Sequence, residues 1–112
     1  METTTDALAR TFAALADPTR VAIVSQLAQS DATVKELTKP FAMSQQAVSR
    51  HLKVLEDAGL VSRRHVATSR PAVLEVDRLL EVVEWVGARR QECLERHERL
   101  EEYLRRLGEE DA

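Results

Sequence analysis

A mainly α fold carrying one small β-hairpin is what this sequence predicts, on three observations. Five segments repeat apolar residues at helical spacing, one stretch alternates at strand spacing, and the boundaries carry helix-capping residues or glycine. With 112 residues, 44% hydrophobic and 31% charged, the chain has the balance of one folded domain, expected to span residues 1–112. A unit of that size buries its surface only marginally, so a long helix outside its core would need a second chain.

The first helix is expected over residues 6–16, where Leu8, Phe12 and Leu15 form a short apolar stripe. Asp17-Pro18 interrupts it: Asp17 suits a helix cap and Pro18 a first helical position, where its missing N–H costs nothing. Val21, Ile23, Val24 and Leu27 are the expected buried side of this second helix. Thr33-Val34-Lys35-Glu36 is a capping box that starts a third, stopped by Pro40. After Phe41-Ala42-Met43, Ser44 caps a fourth helix that ends at Gly59. Two rods this short, joined by about three residues, cross steeply rather than lie antiparallel, which makes residues 33–58 a helix-turn-helix.

Residues 60–76 change character. Leu60-Val61 opens an extended run, Ala67-Thr68-Ser69 is small and polar, and Ala72, Leu74 and Val76 alternate with Val73 and Glu75, the pattern of a hairpin. Pro71 suits an exposed edge rather than a central strand. A ribbon attached directly behind a helix-turn-helix is a wing, so the expected architecture is a winged helix-turn-helix. Asp77 is expected to cap a long last helix over residues 78–107, frayed beyond by Gly108 and acids.

Charge is unevenly distributed. The net is −3, yet residues 35–70 hold seven Lys and Arg against three acids, while residues 75–112 hold seven against twelve. A polyanion responds to the field of the face it meets, so a locally basic middle segment outweighs the net value. On the fourth helix Val48, Leu52 and Leu55 form the inward stripe, leaving Gln46, Ser49, Arg50 and Lys53 outward at i, i+3, i+4 and i+7. Glutamine pairs with adenine and arginine with guanine, serine suits either, and lysine meets phosphate. Acids are absent from Phe41 to Leu55. Ser44 and Gln45 at the helix start, and Arg63, Arg64, His65 and Arg70 around the hairpin, complete the set expected to face double-stranded DNA. Arginines there also protect a strand edge from aggregation, and both roles are compatible.

The runs FAALADPTRVAIVSQL and VKELTKPFAMSQQAVSRHLKVLEDAGLVSRR closely resemble the ArsR/SmtB family of winged-helix repressors over residues 8–76. The resemblance implies a homodimer on a palindromic operator, with the fourth helix as reader, the hairpin as wing, and the first and last helices as dimer interface. It also implies repression until an inducer binds. Gln46 stands where many relatives have proline, and the wing tip lacks their usual glycine, departures that bear on operator sequence and wing conformation.

Metal sensors of that family carry a cysteine pair in the third helix or acid and histidine ligands in the last. VKELTKP holds neither cysteine nor histidine. In the last helix Cys93, His97 and Glu101 are spaced by four and share one face, the candidate ligands of a metal- or redox-responsive sensor. The alternative is a heptad seam: Leu79, Val83, Val86, Arg90, Cys93, His97, Leu100, Leu104 and Leu107 alternate spacings of four and three, which suits packing against another helix. No metal or cofactor is assigned.

A lone cysteine forms no internal disulfide, METTTDALAR lacks the pattern of a secretion signal, and no apolar run approaches the roughly 20 residues that cross a bilayer. The expected location is therefore the cytoplasm, without a membrane partner. An enzyme would need a nucleophile with its base, paired carboxylates or a phosphate-cradling loop, and no such pattern stands out. The stronger rival to a DNA-binding regulator is a protein-interaction adaptor built on the same fold.

Overall fold

The computed structural model describes residues 2–111. Its elements are α1 (Thr4–Leu15), α2 (Pro18–Leu27), α3 (Val34–Thr38), α4 (Gln45–Asp57), β1 (Val61–Arg63), β2 (Ala72–Leu74) and α5 (Val76–Asp111). Residues up to Leu80 form one compact unit and those from Glu81 onward a second. No helix among the described residues is long and apolar enough to cross a membrane.

Local capping chemistry starts the helices. Thr33 and Glu36 close their box reciprocally, Ser44 Oγ accepts from the Ala47 N–H at 3.1 Å, and Asp17 accepts from Thr19 and Arg20 with Pro18 just inside α2. A box the sequence reading passed over, Thr3 with Asp6, starts α1 two residues earlier than expected. At the end of α4, Gly59 takes φ +79° while its N–H and that of Leu60 return to the carbonyls of Glu56 and Leu55. That is the Schellman closure, and the positive φ is what favours glycine there; a Cβ would stand 2.9 Å from Arg78 Nη2, the far end of a flexible side chain that can move aside.

The core lies among α1 to α4 and the hairpin, with Ile23, Leu37, Val48, Leu52, Leu55 and Leu60 fully buried. Each such side chain contributes about 1.5–3 kcal/mol on leaving water. The expected inward stripe of α4 is therefore correct. The stripe of α1 holds only in part: Leu15 packs against the core, but the buried positions are Thr11 and Ala14, and Phe12 is 38% exposed. Thr11 satisfies its hydroxyl on the Ala7 carbonyl of its own helix at 3.2 Å, and small side chains on this face let α1 approach both α2 and α4. Val21 likewise faces outward, leaving Ile23 and Leu27 as the buried side of α2 with Val24 packed beside them.

The hairpin pairs antiparallel with Val61 opposite Leu74 and Arg63 opposite Ala72. Two features depart from expectation. Ala72 also exchanges hydrogen bonds with Ala32, at 2.7 and 3.2 Å, so β2 has a neighbour on both sides at that residue. Pro71 escapes this ladder by lying one residue before β2, where it offers only its carbonyl, to the Arg64 N–H at 2.9 Å. At the tip, Val66 bridges Ser69 and Ala67 adopts φ 55°, the left-handed region that glycine enters without strain.

Helix α5 begins at Val76, so Val76 ends no strand and Asp77 lies in the first turn rather than at the cap. Glu75 stands at the junction, its N–H on the Leu60 carbonyl at 2.8 Å and its carbonyl accepting from Arg78. The helix also passes the expected stop at 107 and runs to Asp111. Ion pairs between successive turns hold this end: Glu102 meets both Arg105 and Arg106, and Arg105 meets Glu109.

Candidate nucleic-acid interface

The sequence-predicted residues of α4 come together as one exposed ridge. Gln46, Ser49, Arg50 and Lys53 all face solvent on the side opposite Val48, Leu52 and Leu55. Gln45 is exposed in the first turn, and the Ser44 hydroxyl is committed to capping. Arg50 has no ion pair among the described residues, which leaves its fork of donors for an external acceptor. Lys53 differs: its Nζ is 3.0 Å from Asp57 Oδ1, and the hydrogen bond to that carboxylate holds its pKa above the ordinary value. A compact ammonium with a carboxylate one turn away suits exchange onto a phosphate better than base recognition.

The hairpin arginines divide by role. Arg63 reaches across the ribbon, with Nε and Nη2 donating to the Arg70 carbonyl at 2.9 and 2.6 Å and Nη1 3.5 Å from Glu56 Oε1 of α4. Its side chain is only 23% exposed, so it braces the wing against α4 instead of standing at the tip. Arg64 is exposed but pairs with Asp31 at 3.4 Å, while His65 and Arg70 are exposed and Arg70 has no ion pair among the described residues. The ridge and the outer wing thus offer Arg50 and Arg70 as uncommitted guanidinium groups.

Sequence reasoning overlooked His51, which is half-buried on the flank of α4 and lies 3.2 Å from Arg20 Nη1. Its spacing from Val48 and Leu55 was the available signal: a polar ring three and four residues from buried positions needs a partner. In α5, Cys93, His97 and Glu101 are all exposed, and among the described residues no group of three or more His, Cys, Asp or Glu is placed to hold a metal ion.

Comparison with known proteins bears on this geometry directly. The model of the family described as bacterial regulatory protein, arsR family, matches residues 17–63, from the Asp17 cap through α4 to Arg63. The HTH-type transcriptional regulator Rv2034 of Mycobacterium tuberculosis is 49% identical over 61 residues, covering 54% of this chain and 57% of that protein. The chain thus spans little more than half of that relative's length. Among solved structures, the ArsR family transcriptional regulator RHA00566 is 36% identical with a TM-score of 0.73, over 85% of this chain and 97% of that one. The homodimeric winged helix-turn-helix DNA-binding domain of Mb0332 from Mycobacterium bovis is 28% identical with a TM-score of 0.64, over 78% of this chain and 82% of that one. With the family model on α2 through β1 and a 36% identical structure matched over nearly its whole length, the chain belongs to the ArsR family of bacterial transcription regulators, built as a winged helix-turn-helix.

Proposed function

We propose that the chain is a sequence-specific DNA-binding repressor that meets a palindromic operator as a homodimer in the cytoplasm. One observation carries the reading: α4 hides its whole apolar stripe in the core and turns a glutamine, a serine, an arginine and a lysine outward together. A helix of that width fits the major groove, and those side chains carry the donors and acceptors that base edges and phosphates answer. Arg50 and Gln46 are the proposed base readers, Ser49 a second base contact, Lys53 and Arg64 phosphate contacts, and Arg70 the wing's contribution, with Arg63 holding the ribbon in place.

The homodimer is supported by the similarity to Mb0332, whose domain is homodimeric, and by the apolar seam of α5, where Val83, Val86, Leu100 and Leu104 are exposed. α1 and α5 are the proposed dimer elements. Half-sites would then lie about one helical turn apart.

Titration against random and selected duplexes tests the proposal. Binding to random duplex on the order of micromolar, weakening steeply with salt, is the expected result. Salt-independent binding, or none, would instead favour the adaptor.

A further inference from the structure

Beside the reading ridge, one polar cluster joins three helices. Asp17 Oδ2 accepts from the N–H groups of Thr19 at 2.9 Å and Arg20 at 3.1 Å, fixing the first turn of α2. The Arg20 side chain then crosses between helices. Its Nε donates to the Ala14 carbonyl near the end of α1 at 2.6 Å, and its Nη1 lies 3.2 Å from His51 Nδ1 in the middle of α4. A guanidinium only donates, so His51 Nδ1 accepts and the ring proton belongs on Nε2. Asp17 Oδ2 is 3.8 Å from the same Nδ1, too far for a hydrogen bond.

Near the end of α4 the helix makes one other polar contact, Glu56 with Arg63 of the hairpin at 3.5 Å, and the contacts of Val48, Leu52 and Leu55 along its middle are apolar. Such contacts set how deeply a helix lies but resist its roll weakly, because they have no preferred direction. A hydrogen bond from a planar guanidinium, itself anchored at Ala14, fixes both distance and angle. His51 directly follows Arg50, so a roll of α4 that stretches the Arg20 bond swings Arg50 through the same angle.

We infer that His51 is a positioning residue for base reading: held by Arg20 and the Asp17-capped turn, it sets the roll of α4 that brings Arg50 and Gln46 onto base edges. The inference rests on the DNA-binding function proposed above. Base-edge hydrogen bonds tolerate little misplacement, whereas a flexible lysine follows a phosphate through a small roll. Loss of the bond should therefore lower sequence preference and leave sequence-independent binding in place.

The experiment uses the full chain, a duplex selected by the wild-type protein from a randomised pool, and a scrambled duplex of equal composition. His51→Leu is expected to lose roughly tenfold in the selected-to-scrambled affinity ratio, the size of one charge-assisted hydrogen bond. His51→Asn, whose side-chain oxygen stands near the former Nδ1, should recover most of that ratio. Arg20→Met, which removes the donor, should lose the same ratio even if His51→Leu fails to fold, and the two losses should not add. A folded His51→Leu protein with the wild-type ratio, an equal loss on both duplexes, or no advantage of Asn over Leu would overturn the inference while leaving DNA binding intact. A wild-type protein that selects no duplex would overturn both.

Discussion

Helices α4 and α5 are both amphipathic, and they resolve their apolar sides in opposite ways. In the 13 residues of α4, Val48, Leu52 and Leu55 are at most 1% exposed, so the stripe is satisfied within the chain and only the polar ridge remains for a partner. In the 36 residues of α5, Val86 is 49% and Leu100 54% exposed, while part of the polar side is paired through Arg89 with Glu92 and Glu102 with Arg105 and Arg106. Arg89 also lies over the Trp85 ring, 5.1 Å from its centroid. Helix α4 therefore presents a polar ridge with its apolar stripe covered, and α5 an apolar seam left exposed. The first is the need of a nucleic-acid reader and the second that of a protein interface, so the two proposed partners fall on different helices for physical reasons.

The largest effect should come from removing the apolar seam. Val86→Glu with Leu100→Glu is expected to weaken the proposed homodimer by about 3–6 kcal/mol, the value of covering the exposed half of four large side chains, two from each protomer, while circular dichroism still reports a helical protein. Sedimentation reads the outcome, and an unchanged oligomeric state would break the contrast at the α5 side. Next comes the core side of α4: Leu52→Ala should cost about 2–5 kcal/mol in urea unfolding, since the site is closed on all sides. A cost well under that range would mean that the stripe is less tightly held than its burial indicates.

On the outer side of α4, Arg50→Ala should cost about 1–3 kcal/mol on the selected duplex and relax base preference. Lys53→Ala should weaken every duplex alike and lower the salt slope by about one. Equal loss on all sequences for Arg50→Ala would reduce it to a phosphate contact and blur the division within the ridge.

The smallest effect is an acid one. Asp17 is held below its ordinary 3.8 chiefly by the Arg20 N–H, and Glu36 below its ordinary 4.5 chiefly by the Thr33 N–H. A carboxylate lowered in the folded state contributes stability that is complete above its unfolded value and lost as pH falls through the lower folded one. The urea midpoint should therefore hold steady down to about pH 5 and fall below it, with Asp17→Asn flattening part of that fall. A midpoint that rose on acidification would contradict both caps.

What the sequence revealed follows from the range of the forces involved. The Thr33 box, the Ser44 cap and the Gly59 stop act over three or four residues and were legible, as was the polar ridge of α4 that they frame. On α1, Leu15 of the expected stripe meets the core but Phe12 does not: Phe12 outweighs Thr11 in hydropathy, whereas the helix turns small residues toward α2 and α4. The Ala32 bridge to Ala72 and the Arg20 contact to His51 join residues 40 and 31 positions apart, so no local pattern contained them. The end of α5 was placed too early because Gly108 and the acids around it resemble a fraying terminus, yet Arg105 pairs its neighbours across successive turns. For the wing, the arginines were correctly located, but which one braces and which one projects depended on a carbonyl seven residues away.

Amide resonances of the full chain, followed while a selected duplex is added, put the contrast between α4 and α5 to its most direct test. The account predicts that the largest shifts fall on Gln46 through Lys53 and on the ribbon around Arg70, with the α5 seam little changed. Shifts concentrated on α5, with the α4 ridge silent, would contradict it.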